Sequence, residues 1–216
     1  MTRFPLLAFA IALVLATPAY ADFAAGKNAY DTKKWEQAII NLRPLAESGD
    51  ARAMVLLGNM YAQGYGVTKD DSEAYKLYRR AALAGNNEAM VVTAAMLQQG
   101  LGVPTDVATA VQWYKRAAQT GQPGGAFFYA LYLFRGNNVN DASKNLLPDA
   151  PQAYQWMRIC EKISKDQKMK TTAGKIADEI AKKITPEQVS AADAAAAAWK
   201  PTPVSELGPA PGITVP

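Results

Sequence analysis

The chain has 216 residues, with 23 Lys and Arg against 19 Asp and Glu, a formal net charge of +4, one cysteine and no histidine. The absence of histidine removes the most common general base, the Ser/His/Asp and Cys/His arrangements, and every histidine-ligated metal site. One cysteine cannot close an internal disulfide, and so small a positive charge excludes a dedicated nucleic-acid binder.

Residues 1–21 open the chain with a single positive charge at Arg3, an apolar stretch over 4–16, and Ala19-Tyr20-Ala21 before Asp22. This is the pattern of a secretory signal peptide, with cleavage expected between Ala21 and Asp22. The apolar run is shorter than the roughly 20 residues a spanning helix needs, and no later segment is long and apolar enough to cross a bilayer. The mature chain is therefore expected in the periplasm or outside the cell, with no transmembrane segment. The residue directly after the cleavage site is Asp22 and not a cysteine, so no lipid anchor is expected there.

A repeat dominates the middle of the chain. Shifted by 36 residues, segment 50–85 matches 86–121 at fifteen of 36 positions, among them Ala53/Ala89, Gly64/Gly100, Gly66/Gly102, Asp70/Asp106, Tyr78/Tyr114 and Gly85/Gly121. A period in the 30s marks stacked supersecondary units. Ala74, Leu77, Tyr78 and Ala81, and likewise Ala110, Trp113, Tyr114 and Ala117, recur at i, i+3, i+4 and i+7, one stripe of a helix. Asp70 or Asp71, and Asp106, stand where an N-cap accepts orphan backbone donors, and Gly85 and Gly121 stand where a left-handed C-terminal cap is wanted. Gly64 and Gly100 are expected to hold positive φ angles in the loop between the helices.

The same shift carries Ala38, Leu42, Ala46 and Gly49 onto Ala74, Tyr78, Ala82 and Gly85, so 22–49 is a degenerate first unit without the glycine loop. Unit 122–165 is stretched: AYQW at 153–156 meets AVQW at 110–113 only after seven extra residues, which places an insertion at 136–150. Met169, Ala173, Ile176, Ile180 and Ile184 then share a helix face, and Thr185-Pro186-Glu187-Gln188 forms a capping box that opens an alanine-rich helix ending near Trp199. Segment 166–199 is expected to cap the stack. Residues 200–216, with five prolines and no periodicity, are expected as a Pro-rich disordered or extended tail.

GYGV at 64–67, GLGV at 100–103, LYRRAALAG at 77–85 and WYKRAAQTG at 113–121 together resemble the Sel1-like repeat, a relative of the tetratricopeptide repeat. The resemblance implies an all-α fold, a right-handed α/α solenoid of Sel1-like helical hairpins with C-terminal capping helices. It also implies a non-catalytic adaptor of the cell envelope that binds a protein or peptide partner on its concave face. By analogy with related helical repeats, the first helix of each unit lines that face. Outside the core positions this selects Arg52, Leu56, Asn59, Gln63, Glu88, Val92, Gln99, Phe128, Leu131 and Arg135. Several of these have a plainer reading: Phe127 and Phe128 as core, Arg52 and Glu88 as an ion pair between neighbouring helices.

No catalytic, metal or cofactor residue is expected. Cys160 falls on the small position of Ala81 and Ala117 and is read as a buried thiol. The acids at 70, 71 and 106 are read as caps, and GNNVNDASKN at 136–145 lacks the spacing of a calcium loop. Lysines and Arg158 between 158 and 183 form a basic stretch that could touch an anionic surface. Two alternative functions stand beside the adaptor. One is a periplasmic hydrolase of cell-wall or β-lactam substrates, implied only through distant relatives. The other is an envelope protein binding anionic glycan through the basic C-terminal helices.

Overall fold

The computed structural model describes residues 22–135 and 149–212; the expected signal peptide and most of the expected insertion, 136–148, lie outside them. The described residues form an all-α solenoid. Helices α1 (Phe23–Asp31) and α2 (Trp35–Glu47), α3 (Ala51–Gln63) and α4 (Asp71–Leu83), α5 (Asn87–Gln99) and α6 (Val107–Gln119), and α7 (Pro123–Arg135) and α8 (Ala150–Ile163) make four hairpins. Then come α9 (Gln167–Ala181) and α10 (Pro186–Ala198), both packed on α8. Each hairpin rests on its chain neighbours, as expected where no unit can bury its own apolar stripe.

Local chemistry sets the hairpin ends. Asp50, Asp70, Asn86, Asp106, Asp149 and Asp166 each accept a backbone N–H of the helix they precede. Of the two adjacent acids, Asp70 is therefore the cap, and its oxygen takes the Glu73 N–H at 2.9 Å. Gly64 and Gly100 close α3 and α5 in the left-handed conformation, at φ 73° and 72°. Two residues on, Gly102 has φ 68° and lies so tightly on the first turn of α4 that a Cβ there would overlap the Asp71 carbonyl. The first hairpin, which lacks this loop, turns through Lys33 at φ 58°.

Alanines 38, 74, 81, 89, 94, 110, 117, 118, 126, 130 and 153 are fully enclosed, and Leu42, Tyr78, Trp113, Tyr114, Tyr154 and Met157 fill the space between helices. Cys160 belongs to this set. It is fully buried, its thiol lies 3.4 Å from the Pro123 carbonyl, and burial pushes its pKa up to about 12. Because the thiolate is the reactive form, Cys160 in the native protein should react with a disulfide reagent at least about tenfold more slowly than in urea. Equal rates in the two states would show that the thiol is open.

At the C-terminal end Arg158 ties three helices together. Its guanidinium reaches Tyr154 Oη at 3.0 Å and Glu161 at 2.9 Å on α8, Asp178 at 3.3 Å on α9, and Asp193 at 3.7 Å on α10. Burial opposes the charge, but the hydrogen bonds to Tyr154 and Glu161 more than offset it and raise the arginine pKa. Thr185 and Gln188 form the capping box of α10, whose last turn gives the Ala196 and Ala197 carbonyls to Lys162.

The tail differs from a disordered segment over 200–212. Trp199 meets Trp156 edge-on at 5.9 Å, and the chain then turns back along the second and third hairpins. The Thr202 N–H donates to the Gln119 carbonyl at 2.8 Å, Val204–Glu206 form a 3-10 turn, and Arg116 donates to the Gly208 carbonyl at 2.6 Å. Val204 and Ala210 are half-buried against the core. Proline fixes φ before docking, so an extended segment gives up less entropy when it lies down.

Candidate interaction surface

First helices touch across units, α1 on α3 and α5 on α7, whereas no described second helix of one hairpin meets that of the next to that extent. The first-helix side is therefore the inside of the curve, and the ten sequence-selected residues lie on α3, α5 and α7. Register aligns them in steps of 36: Leu56, Val92 and Phe128 in one row, and Gln63, Gln99 and Arg135 in another.

These residues divide by surroundings. Leu56, Val92 and Leu131 are half-buried against the core, while Gln63, Glu88, Gln99 and Arg135 are exposed. Asn59 is already engaged, accepting the Tyr78 hydroxyl at 2.6 Å beside Tyr30. The arginine at 52 does not pair with Glu88. It turns back onto Asp50 at 2.6 Å and stacks over the Phe23 ring at 4.1 Å, because the cap of its own helix is the nearer acid. The Arg52 guanidinium in turn holds the Asp50 carboxyl below its ordinary value.

Phe128 is the exposed centre of an aromatic group, 37% accessible, with Tyr114 at 5.0 Å and Phe127 at 5.6 Å between ring centroids. Tyr132 lies 6.1 Å from Tyr114, whose hydroxyl donates to Gln98 Oε1 at 3.1 Å. Burial raises the pKa of Tyr78 and Tyr114, so both stay neutral donors at any physiological pH. Phe127 takes the core role, half-buried, and Phe128 does not. Gln98 and Tyr132 are absent from the sequence-selected set because they sit off the repeated rows. Only the contact of each with Tyr114 across helices brings them in.

Such a face can hold a chain by apolar contact and hydrogen bonding. Among the described residues no group of three or more His, Cys, Asp or Glu could hold a metal ion, and no helix is long and apolar enough to cross a membrane. Part of the basic stretch is engaged internally: Arg158 on Glu161, Asp178 and Asp193, Lys162 on the end of α10, Lys182 on Glu179 at 2.6 Å, and Lys183 over the Phe134 ring at 4.9 Å.

Stacked hairpins that present their first helices on one side define a helical repeat of the interaction-scaffold class. The Sel1 repeat family model matches residues 51–86, 87–121 and 124–159, and the chain is a Sel1 repeat protein. Sel1 repeat proteins are in general protein-interaction scaffolds. The fold is similar to that of a protective antigen from uropathogenic Escherichia coli strains with an SLR fold, at 25% identity and a TM-score of 0.64 over 78% of this chain and 35% of that one. It is also similar to that of a Sel1 repeat protein from Oxalobacter formigenes, at 22% identity and a TM-score of 0.60 over 77% of this chain and 72% of that one.

Two curated relatives are exopolysaccharide production negative regulators. That of Rhizobium leguminosarum bv. viciae is 43% identical over 60 residues, and that of Rhizobium meliloti (strain 1021) 38% identical over 63. The matches cover 28% and 29% of this chain, and only 22% and 24% of those proteins.

Proposed function

We propose that this chain is a non-catalytic adaptor of the cell envelope, exported with cleavage between Ala21 and Asp22, that holds a protein or peptide partner on its inner face. The observation that carries this reading is Phe128, a large apolar side chain left open at the centre of an aromatic group. Large exposed aromatics amid packed ones are typical anchors of binding surfaces. The half-buried Val92 and Leu131 extend the apolar strip, and Glu88, Gln99 and Arg135 supply a polar rim. The relatives' names suggest a partner in the control of exopolysaccharide production.

A photoreactive amino acid placed at 128, with another at the exposed Ile40 of α2 as control, tests the reading in cells. Position 128 should capture one envelope protein that position 40 does not, and Arg135→Glu should reduce the yield while leaving helicity unchanged. A surface change of that kind alters stability by only about 0.5 kcal/mol or less. Capture at 128 that survives Arg135→Glu but disappears when Lys168, Lys170 and Lys175 are neutralised would move the site to the C-terminal helices.

A further inference from the structure

Gly49, Gly85 and Gly121 stand one repeat apart, each at the corner where a second helix hands over to the next hairpin, with φ of 104°, 90° and 89°. The chain's own tail covers two of these corners. A Cβ built on Gly121 would lie 3.1 Å from Pro201 Cγ, and one on Gly85 would lie 3.4 Å from Val204 Cγ1. At Gly49 no atom of the described residues comes within 4 Å of an added Cβ.

A second register pair shows the same contrast. Arg116 gives its Nη1 to the tail carbonyl of Gly208, whereas Arg80, one repeat earlier, gives its Nη2 to the Ala46 carbonyl at 3.0 Å. Beside it, between α2 and α4 and over α3, runs an open cleft of about 240 Å³, floored by Ala46, Leu57, Tyr61 and Leu77 and edged by Arg43, Glu47, Glu73 and Arg80. Charge follows the register in part, with Glu47 and Glu73 added at the open cleft. In the covered groove Lys115 and Arg116 line one pocket with the tail residue Glu206, and the positions 36 earlier are Arg79 and Arg80.

We propose that the groove between α2 and α4 is a binding site for an extended, proline-bearing segment of a partner polypeptide, held as the tail is held one repeat away. An apolar side chain of the segment covers Gly49 as Val204 covers Gly85. A carbonyl four residues later takes an Arg80 N–H other than the one held by the Ala46 carbonyl, as Gly208 takes one from Arg116. Because Val204 already occupies the Gly85 corner, only the part of the tail pattern from the apolar residue onward fits. The segment therefore enters at Gly49 and runs toward Glu73. This site lies on the second-helix side, apart from the inner face, and can fail or hold independently of it.

The probe is a synthetic peptide of residues 203–212, Pro-Val-Ser-Glu-Leu-Gly-Pro-Ala-Pro-Gly, with a photoreactive group at the valine, titrated into the full mature chain. Saturable binding is expected, weakened at least about tenfold by Arg80→Ala, which removes a hydrogen bond from a charged donor. Arg116→Ala should leave it unchanged, and the crosslink should fall within residues 43–50. The crosslink position decides the matter even if Arg80→Ala perturbs the fold. Absence of saturation, or equal binding of a scrambled peptide, would overturn the proposal. So would a crosslink near Gly85 with loss of binding in Arg116→Ala, since the peptide would then be exchanging with the resident tail.

Discussion

Trp113→Ala should lower the stability of the folded chain by about 3–5 kcal/mol, the range for deleting a large buried aromatic. Trp113 is 1% exposed in the middle of α6, and α6 packs on both α5 and α7. In a stack whose stability is the sum of units and their nearest-neighbour interfaces, one side chain at such a position serves two interfaces at once. Against a total of about 5–15 kcal/mol for a typical domain, the loss is large enough to separate the two ends of the array. Urea denaturation followed by circular dichroism should show a lower midpoint and a broadened or split transition. A midpoint within error of the parent chain would mean that the cavity closes by collapse of the neighbouring alanines.

Gly102→Ala should be the most damaging loop change, at about 2–5 kcal/mol, the sum of two costs. One is the left-handed backbone, which costs an L-residue about 1–2 kcal/mol. The other is overlap with the Asp71 carbonyl, an overpacking of about 1–3 kcal/mol that a rigid helix start cannot relieve. Gly64→Ala isolates the first cost. Its φ is similar, but the nearest atom to an added Cβ is 3.5 Å away, at Lys69. Thermal unfolding of both variants should rank Gly102→Ala well below Gly64→Ala, and the reverse order would show that the seat on α4 is looser than the geometry implies.

The sequence is legible where structure is decided locally. Caps at Asp70 and Asp106, the positive φ at Gly64 and Gly100, and the box at Thr185 and Gln188 each depend on residues within four positions of one another. Burial of Cys160 is readable because register puts it on Ala117. The rest depends on long side chains and long separations. Arg52 could reach two acids, and geometry, not pattern, chooses Asp50. Phe127 and Phe128 are adjacent and chemically equal, and the rotation of α7 about its axis decides which is open. The docked tail is illegible because it is held at glycine corners and through its own backbone groups, the Thr202 N–H and the Gly208 carbonyl, which every residue carries and no sequence pattern marks.

The tail also changes how the molecule can assemble. Nearly every other contact joins helices close in the chain, which makes for low contact order and rapid folding of each hairpin against the last. The bond from Arg116 to Gly208 instead spans 92 residues. During synthesis from the N-terminus, α4 and α6 exist long before their cover does, so the docking surface must wait bare until the final residues emerge. Folding therefore has a closing step separate from helix stacking, and a chain that terminates early would stack normally while leaving the mid-solenoid groove open.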